Sequence, residues 1–167
     1  MVFVTVGNAK QEFRRLLEAA ESQASCGVLR GEHVFIQSGH NPSFRPKYCE
    51  HAPFLSGDEF DAWMEKADLI ICHGGCTQLH AIRLGKVPVV MPRLRRYGEH
   101  VNDHQVQLVE ALSREGLVVP ANEPEDLPIA IAAARLRAGS RPPLAPSPMI
   151  TLVGTAIEEL LNREHSA

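Results

Sequence analysis

A chain of 167 residues has room for about one domain, and an apolar fraction of 44 % is enough to fill its core, which excludes a disordered chain. The formal net charge of −3 excludes a nucleic-acid binder that works by bulk charge, although Arg93, Arg95 and Arg96 form a local basic cluster. No apolar run approaches the ~20 residues that span a bilayer, and the opening MVFVTVGNAKQEF lacks the basic stretch of a secretion signal. The four cysteines, Cys26, Cys49, Cys72 and Cys76, are therefore read as reduced thiols in a soluble, cytoplasmic protein.

In chain order, Val2 to Val6 (VFVTV) is a β-branched and aromatic run that stops at Gly7-Asn8 and predicts a buried strand. Lys10 to Ser25 places Phe13, Leu16, Leu17 and Ala20 at helical spacing. His33 to Gln37 predicts a second strand, closed by Ser38-Gly39. His40 to Pro53 carries three prolines and predicts a loop, with a short third strand over Ala52 to Leu55. Asp58 is the expected N-cap of a helix to Lys66, and Asp68 to Cys72 (DLIIC) predicts the next strand. Thr77 to Leu84 predicts a helix that Gly85 ends. Val87 to Met91 predicts a strand, Asn102 to Glu115 a helix, Leu117 to Val119 a last short strand, and Glu123 or Glu125 the start of a helix to about Arg137. Trp63 is read as a packing residue.

The alternation over residues 1–137 predicts an α/β domain, a Rossmann-like parallel sheet with helices on both faces. Residues 138–148 (AGSRPPLAPSP) predict a Pro-rich linker. Residues 149–167 hold a final apolar-periodic helix that packs on the domain or docks a partner.

Ligands of such sheets bind outside the carboxyl ends of the strands, so three tips are candidates: Gly7-Asn8, Ser38-Gly39-His40 and His73-Gly74-Gly75. The last joins a strand to a helix. Glycines there permit a tight turn and let a ligand touch the backbone, and free amides at a helix start suit a diphosphate. An ordinary strand-to-helix turn has the same composition, and the spacing matches neither a Walker A loop nor a GxGxxG fingerprint. Thr77 either caps that helix or bonds a phosphate oxygen.

A second polar cluster, GEHVNDHQ (Gly98 to Gln105), opens the helix after the strand ending near Pro92. Amides and carboxylates on Asn102, Asp103, His104 and Gln105 suit sugar hydroxyls, while capping by Asn102 or Asp103 explains one of the four. Arg93 lies where it reaches a phosphate. His73, His100 and His104 are candidate general bases because imidazole titrates near neutral pH. Cys72, Cys76 and His80 fall at four-residue steps, and His100 with His104 repeats the step. The strand and the glycine turn keep Cys72 and Cys76 off a common helix face, so no metal site is expected.

These segments, VFVTVGN, HVFIQSGHNP, FLSGDEFDAWMEKADLIICHGG and RLGKVPVVMPRLRRYGEHVNDHQVQL, resemble glycosyltransferase family 28, C-terminal domain, from Val2 to about Val119. The ordered combination of HGG, GKxPVVxPR and GEHxxDHQ carries the resemblance. It is closest to the small single-domain members that act as catalytic subunits of a dolichol-linked UDP-GlcNAc transferase and of bacterial exopolysaccharide glycosyltransferases. The resemblance implies the donor-binding half of a GT-B enzyme that takes a UDP-sugar. Gly7, Asn8, Gly74, Gly75, Thr77 and Arg93 would hold the nucleotide diphosphate. His100, Asn102, Asp103 and Gln105 would hold the donor sugar, and His73 and His104 would be catalytic. No cofactor and no metal are implied, since the UDP-sugar is a substrate and GT-B enzymes work without a bound metal.

The chain departs from the family pattern in a turn one residue shorter between His73 and Gly85, in His80 at a position often held by Glu or Thr, and in Cys76-Thr77-Gln78 in place of smaller residues. In the similar proteins the acceptor half is a separate, membrane-anchored subunit that recruits the donor half to the cytoplasmic membrane face. The expected function is therefore the catalytic subunit of an inverting UDP-sugar glycosyltransferase that makes a lipid-linked glycan or exopolysaccharide precursor. The alternative is a non-catalytic subunit that stabilises or stimulates a partner glycosyltransferase.

Overall fold

The computed structural model describes residues 1–138. The strands are β1 (Val2–Thr5), β2 (Val34–Gln37), β3 (Glu50–Ala52), β4 (Leu69–His73), β5 (Val89–Met91) and β6 (Val119–Pro120). The α-helices are α1 (Arg14–Cys26), α2 (Gly57–Lys66), α3 (Cys76–Arg83), α4 (His104–Arg114) and α5 (Leu127–Arg137). All neighbouring strands pair in parallel, in the order β3-β2-β1-β4-β5-β6. This is the doubly wound, Rossmann-like α/β fold expected from the alternating pattern.

The pleat sorts the core into two layers. Val2 and Val4 of β1 meet Leu16, Leu17 and Ala20 of α1 and Leu127, Ile131 and Ala134 of α5. Phe3, Ile70 and Cys72 face the other way, toward Met64 of α2, Ala81 and Ile82 of α3 and Val109 of α4. Burial on both faces is why the strands read as continuous apolar runs rather than as alternating ones. Trp63 is indeed a packing residue, its ring stacked 4.2 Å from that of Phe35 and 5.9 Å from that of Phe3.

Several boundaries differ from the sequence expectation. β3 occupies Glu50–Ala52, inside the stretch expected to be loop and ahead of the expected Ala52 to Leu55. An edge strand with exposed Glu50 and His51 carries no apolar signature. The N-cap of α2 is Ser56, not Asp58: its hydroxyl accepts from the Glu59 amide while the Glu59 carboxylate accepts from the Ser56 amide. α1 starts four residues after the expected Lys10, and α4 starts at His104 rather than Asn102. The expected linker beyond Ala138 and the expected final helix lie outside the described residues.

Two devices close the helix ends at the edge of the sheet opposite the strand-to-helix turns. Gly85, at φ +74°, ends α3. The following Lys86 sends its ammonium to the carbonyls of Met64, Glu65 and Ala67 at 2.5, 2.6 and 2.7 Å, which satisfies the last turn of α2. No helix among the described residues is long and apolar enough to cross a membrane.

Candidate functional site

Parallel strands send every strand-to-helix connection to one edge, and β1 and β4 lie where the strand order reverses, the place for a ligand crevice. The three expected tips do meet at this edge. A Cβ on Gly39 would lie 2.6 Å from the Gly7 carbonyl oxygen, so the tips of β1 and β2 touch backbone to backbone. A cleft of about 820 Å³ opens beside them. Gly7, Asn8 and Gln37 form one wall, Leu55, Phe60 and Asp61 a second, and His73 with Cys76, Thr77, Leu79, His80 and Arg83 the third.

His73 ends β4, and its imidazole lies between two glycines. A Cβ on Gly7 would come 2.4 Å from Cε1, and one on Gly75 would come 2.3 Å from Nε2. Gly7 also needs its φ of +70°, whereas Gly75 has an ordinary φ of −108°. The requirement for glycine at position 75 is thus the ring of His73 rather than the backbone angle. Gly74 has a different reason: a Cβ there would lie 3.0 Å from both Gln105 Cβ and Val109 Cγ2, so it lets α4 pack against the turn. Burial, followed by the positive charges of Arg93 and His100, lowers the His73 pKa from 6.5 to about 4, against a weaker opposing pull from the Thr5 backbone. Its Nδ1 is buried without a hydrogen-bond partner. The imidazole is therefore neutral at neutral pH.

α3 begins at this turn. Gly75, not Thr77, is its N-cap, and the helix start has no side-chain cap. The Gly75 amide donates to the His73 carbonyl at 2.9 Å and the Gln78 amide to the Gly75 carbonyl at 3.3 Å. The amides of Cys76 and Thr77 between them have no partner among the described residues. Two free N–H groups at the positive end of a helix dipole are suited to a phosphate.

Arg93 does not line the cleft. Its side chain is 0 % exposed, and its guanidinium donates to the carbonyls of Val6 (2.8 Å), Gln11 (2.9 Å), Glu99 (3.1 Å) and Glu12 (3.5 Å). It also lies over the Phe13 ring, 4.7 Å from the centroid. Burial pushes its pKa down to about 10, which leaves it charged at neutral pH. The expected phosphate contact is corrected to a strut between the β1–α1 and β5–α4 connections, with its charge acting on His73.

The GEHVNDHQ segment packs next to this edge without lining the cleft. Asn102 Oδ1 accepts from the His104 amide at 3.2 Å and lies 3.1 Å from His100 Nδ1, an Asx turn just ahead of α4, whose N-cap is Asp103 without a side-chain cap bond. Asp103 accepts from the Arg95 amide at 2.9 Å, and exposed His104 makes a 3.4 Å contact with Gln107. Gln105 is a tie: its Oε1 accepts from the amides of Gly74 (3.1 Å) and Arg93 (3.0 Å), joining the ends of β4 and β5 to the first turn of α4. Only its Nε2 is left to face a sugar. The two expected groups are thus resolved into a cleft set, with Gly7, Asn8, His73 and Thr77, and a neighbouring loop set.

Sequence reasoning passed over four participants. Thr5 and Gln37, both buried at the ends of β1 and β2, share a 2.7 Å hydrogen bond at the cleft. The signal was present, since a polar residue at the carboxyl end of a buried parallel strand faces the ligand edge. Arg15 and Glu99 form a two-bonded ion pair, at 3.0 and 2.9 Å, that fixes the β5–α4 connection. No local pattern announces a pair 84 residues apart.

A doubly wound sheet with its crevice at a glycine turn is the architecture of one half of a GT-B glycosyltransferase, the Rossmann-like half that faces the donor. The model of the glycosyltransferase family 28 C-terminal domain matches residues 1–145, and the chain belongs to that family. A search of curated proteins finds no match. Among solved structures, the chain is similar to the crystal structure of the glycotransferase of kitacinnamycin, at 19 % identity and a TM-score of 0.60. The similarity covers 80 % of this chain and 34 % of that one, and at this identity it speaks for the fold.

Proposed function

We propose that the chain is the donor-binding, catalytic subunit of an inverting glycosyltransferase that uses a UDP-sugar, UDP-GlcNAc or a related UDP-hexose, and extends a lipid-linked glycan or exopolysaccharide precursor. The observation that carries this reading is the start of α3. Two free amides and a neutral imidazole face one cleft at the switch point of a glycosyltransferase fold. Membership of family 28 supports a nucleotide-sugar donor.

In this reading the diphosphate sits against the amides of Cys76 and Thr77, between Gly7-Asn8 and His73. The helix amides stabilise the charge that builds on UDP as the glycosidic bond breaks, the role a bound metal plays elsewhere. His73, held neutral, donates a hydrogen bond to a phosphoryl oxygen, and the phosphate charge raises its pKa on binding. His104, exposed at the head of α4, and the Gln105 amide face the sugar. Among the described residues the cleft is walled by one domain, and in this proposal the acceptor wall belongs to a membrane-anchored subunit that brings the chain to the cytoplasmic membrane face.

Radiolabelled sugar incorporation from UDP-GlcNAc into membrane lipid tests this division of labour. The chain purified alone transfers little or nothing, co-expression with the acceptor subunit restores transfer, and EDTA leaves the restored rate intact. Full transfer by the single chain contradicts the two-subunit reading.

A further inference from the structure

We infer that Gln37 is a ligand-binding residue, its side-chain amide N–H aimed at a phosphoryl oxygen of the bound diphosphate. The inference rests on the donor-binding reading of the cleft and adds a residue that neither motif nor family resemblance singled out.

Gln37 ends β2, level with Thr5 of β1 and, through it, with Cys72 of β4. Its side chain lines the cleft yet is only 4 % exposed, an environment in which a glutamine needs partners for both ends of its amide. One end is fixed. The Thr5 hydroxyl, itself 0 % exposed, donates to Gln37 Oε1 at 2.7 Å and accepts from the Gly7 amide at 3.1 Å. With the Gly7 N–H on its oxygen, Thr5 must send its single proton to an acceptor, and the glutamine carbonyl is that acceptor. A flipped amide would leave this buried hydroxyl proton unpaired.

The orientation of the amide therefore follows from the network, and it leaves Nε2 as the end with unused capacity. Nε2 has two protons and makes a single long contact, 3.5 Å to Asn8 Oδ1. One proton of this buried, preoriented donor, in the same cleft as the start of α3, lacks an acceptor. A phosphoryl oxygen in that cleft supplies one, and ordering the donor in advance avoids an entropic cost on binding.

The test is calorimetry of UDP and of uridine with the full chain and with Gln37→Leu, Gln37→Glu and Thr5→Val, each checked by thermal unfolding. Gln37→Leu should weaken UDP by roughly ten- to a hundredfold, the range for a hydrogen bond to a charged group, with uridine almost unaffected. Gln37→Glu keeps an acceptor for Thr5 but replaces the amide donor with an oxygen that repels the phosphate, so it should weaken UDP further. Thr5→Val frees the amide to rotate and should give a smaller loss than Gln37→Leu. UDP affinity within twofold of the parent in both folded Gln37 variants overturns the inference and leaves the donor site standing. Equal losses for UDP and uridine overturn the phosphoryl assignment. No UDP binding by the parent chain overturns the donor site itself, and this inference with it.

Discussion

His73 is the residue on which the turn is built, and the glycines beside it can be tested as its housing. Gly75→Ala should cost about 1–3 kcal/mol, the usual penalty for forcing an atom into a filled space, because the new Cβ would meet Nε2 at 2.3 Å. The penalty should largely vanish when His73→Ala is combined with it, a coupling that a double-mutant cycle of thermal unfolding reads directly. Additive losses would show that the ring is not the obstacle. The same residue gives a pH signature. Its folded pKa of about 4 lies below its ordinary 6.5, so the unfolded chain binds the extra proton between those values. Stability from this group is complete above pH 6.5 and falls as the pH drops toward 4, by at most roughly 3 kcal/mol. Urea unfolding of His73→Asn should show a flatter decline than the parent over that window. Parallel curves would contradict the buried, neutral imidazole. The sequence showed His73 and its glycines as a unit but not the reason. HGG is equally compatible with bare backbone for a ligand and with room for a ring, and only the packing tells them apart.

At the scale of elements, the head of α4 is tied to the glycine turn through Gln105. Gln105→Ala strands the amides of Gly74 and Arg93, so it should destabilise the fold by about 1–3 kcal/mol and weaken UDP and UDP-sugar together. Gln105→Glu keeps a carboxyl oxygen for both amides and removes only the Nε2 donor. It should therefore unfold near the parent temperature yet transfer sugar more slowly in the presence of the acceptor subunit. If Gln105→Glu is as unstable as Gln105→Ala, the tie depends on more than one acceptor oxygen. Elements with strong internal patterns were legible: the β1, β2, β4 and β5 runs, the α3 end at Gly85 and the placement of three tips at one edge. β3 was not, because its exposed Glu50 and His51 read as loop. Arg93 was misread for a related reason. A basic residue just after a strand looks like a phosphate ligand, and nothing nearby in sequence reveals that its partners are the carbonyls of Val6, Gln11 and Glu12.

For the whole molecule, the sheet order and the switch-point cleft locate the candidate site, and buried Arg93 and the partly buried Arg15–Glu99 pair hold its loops without entering it. In the proposed function the described domain supplies the donor wall of a transfer site, and positioning donor against acceptor needs a second wall. The central claim is narrower than transfer: the cleft at the start of α3 binds a nucleoside diphosphate. Calorimetry of the chain alone with UDP, UMP and uridine measures it most directly. The account predicts saturable UDP binding that weakens through UMP to uridine, with proton uptake below neutral pH as the phosphate charge raises the pKa of His73. Failure of UDP to bind at millimolar concentration, or binding of uridine as tight as that of UDP, would contradict it.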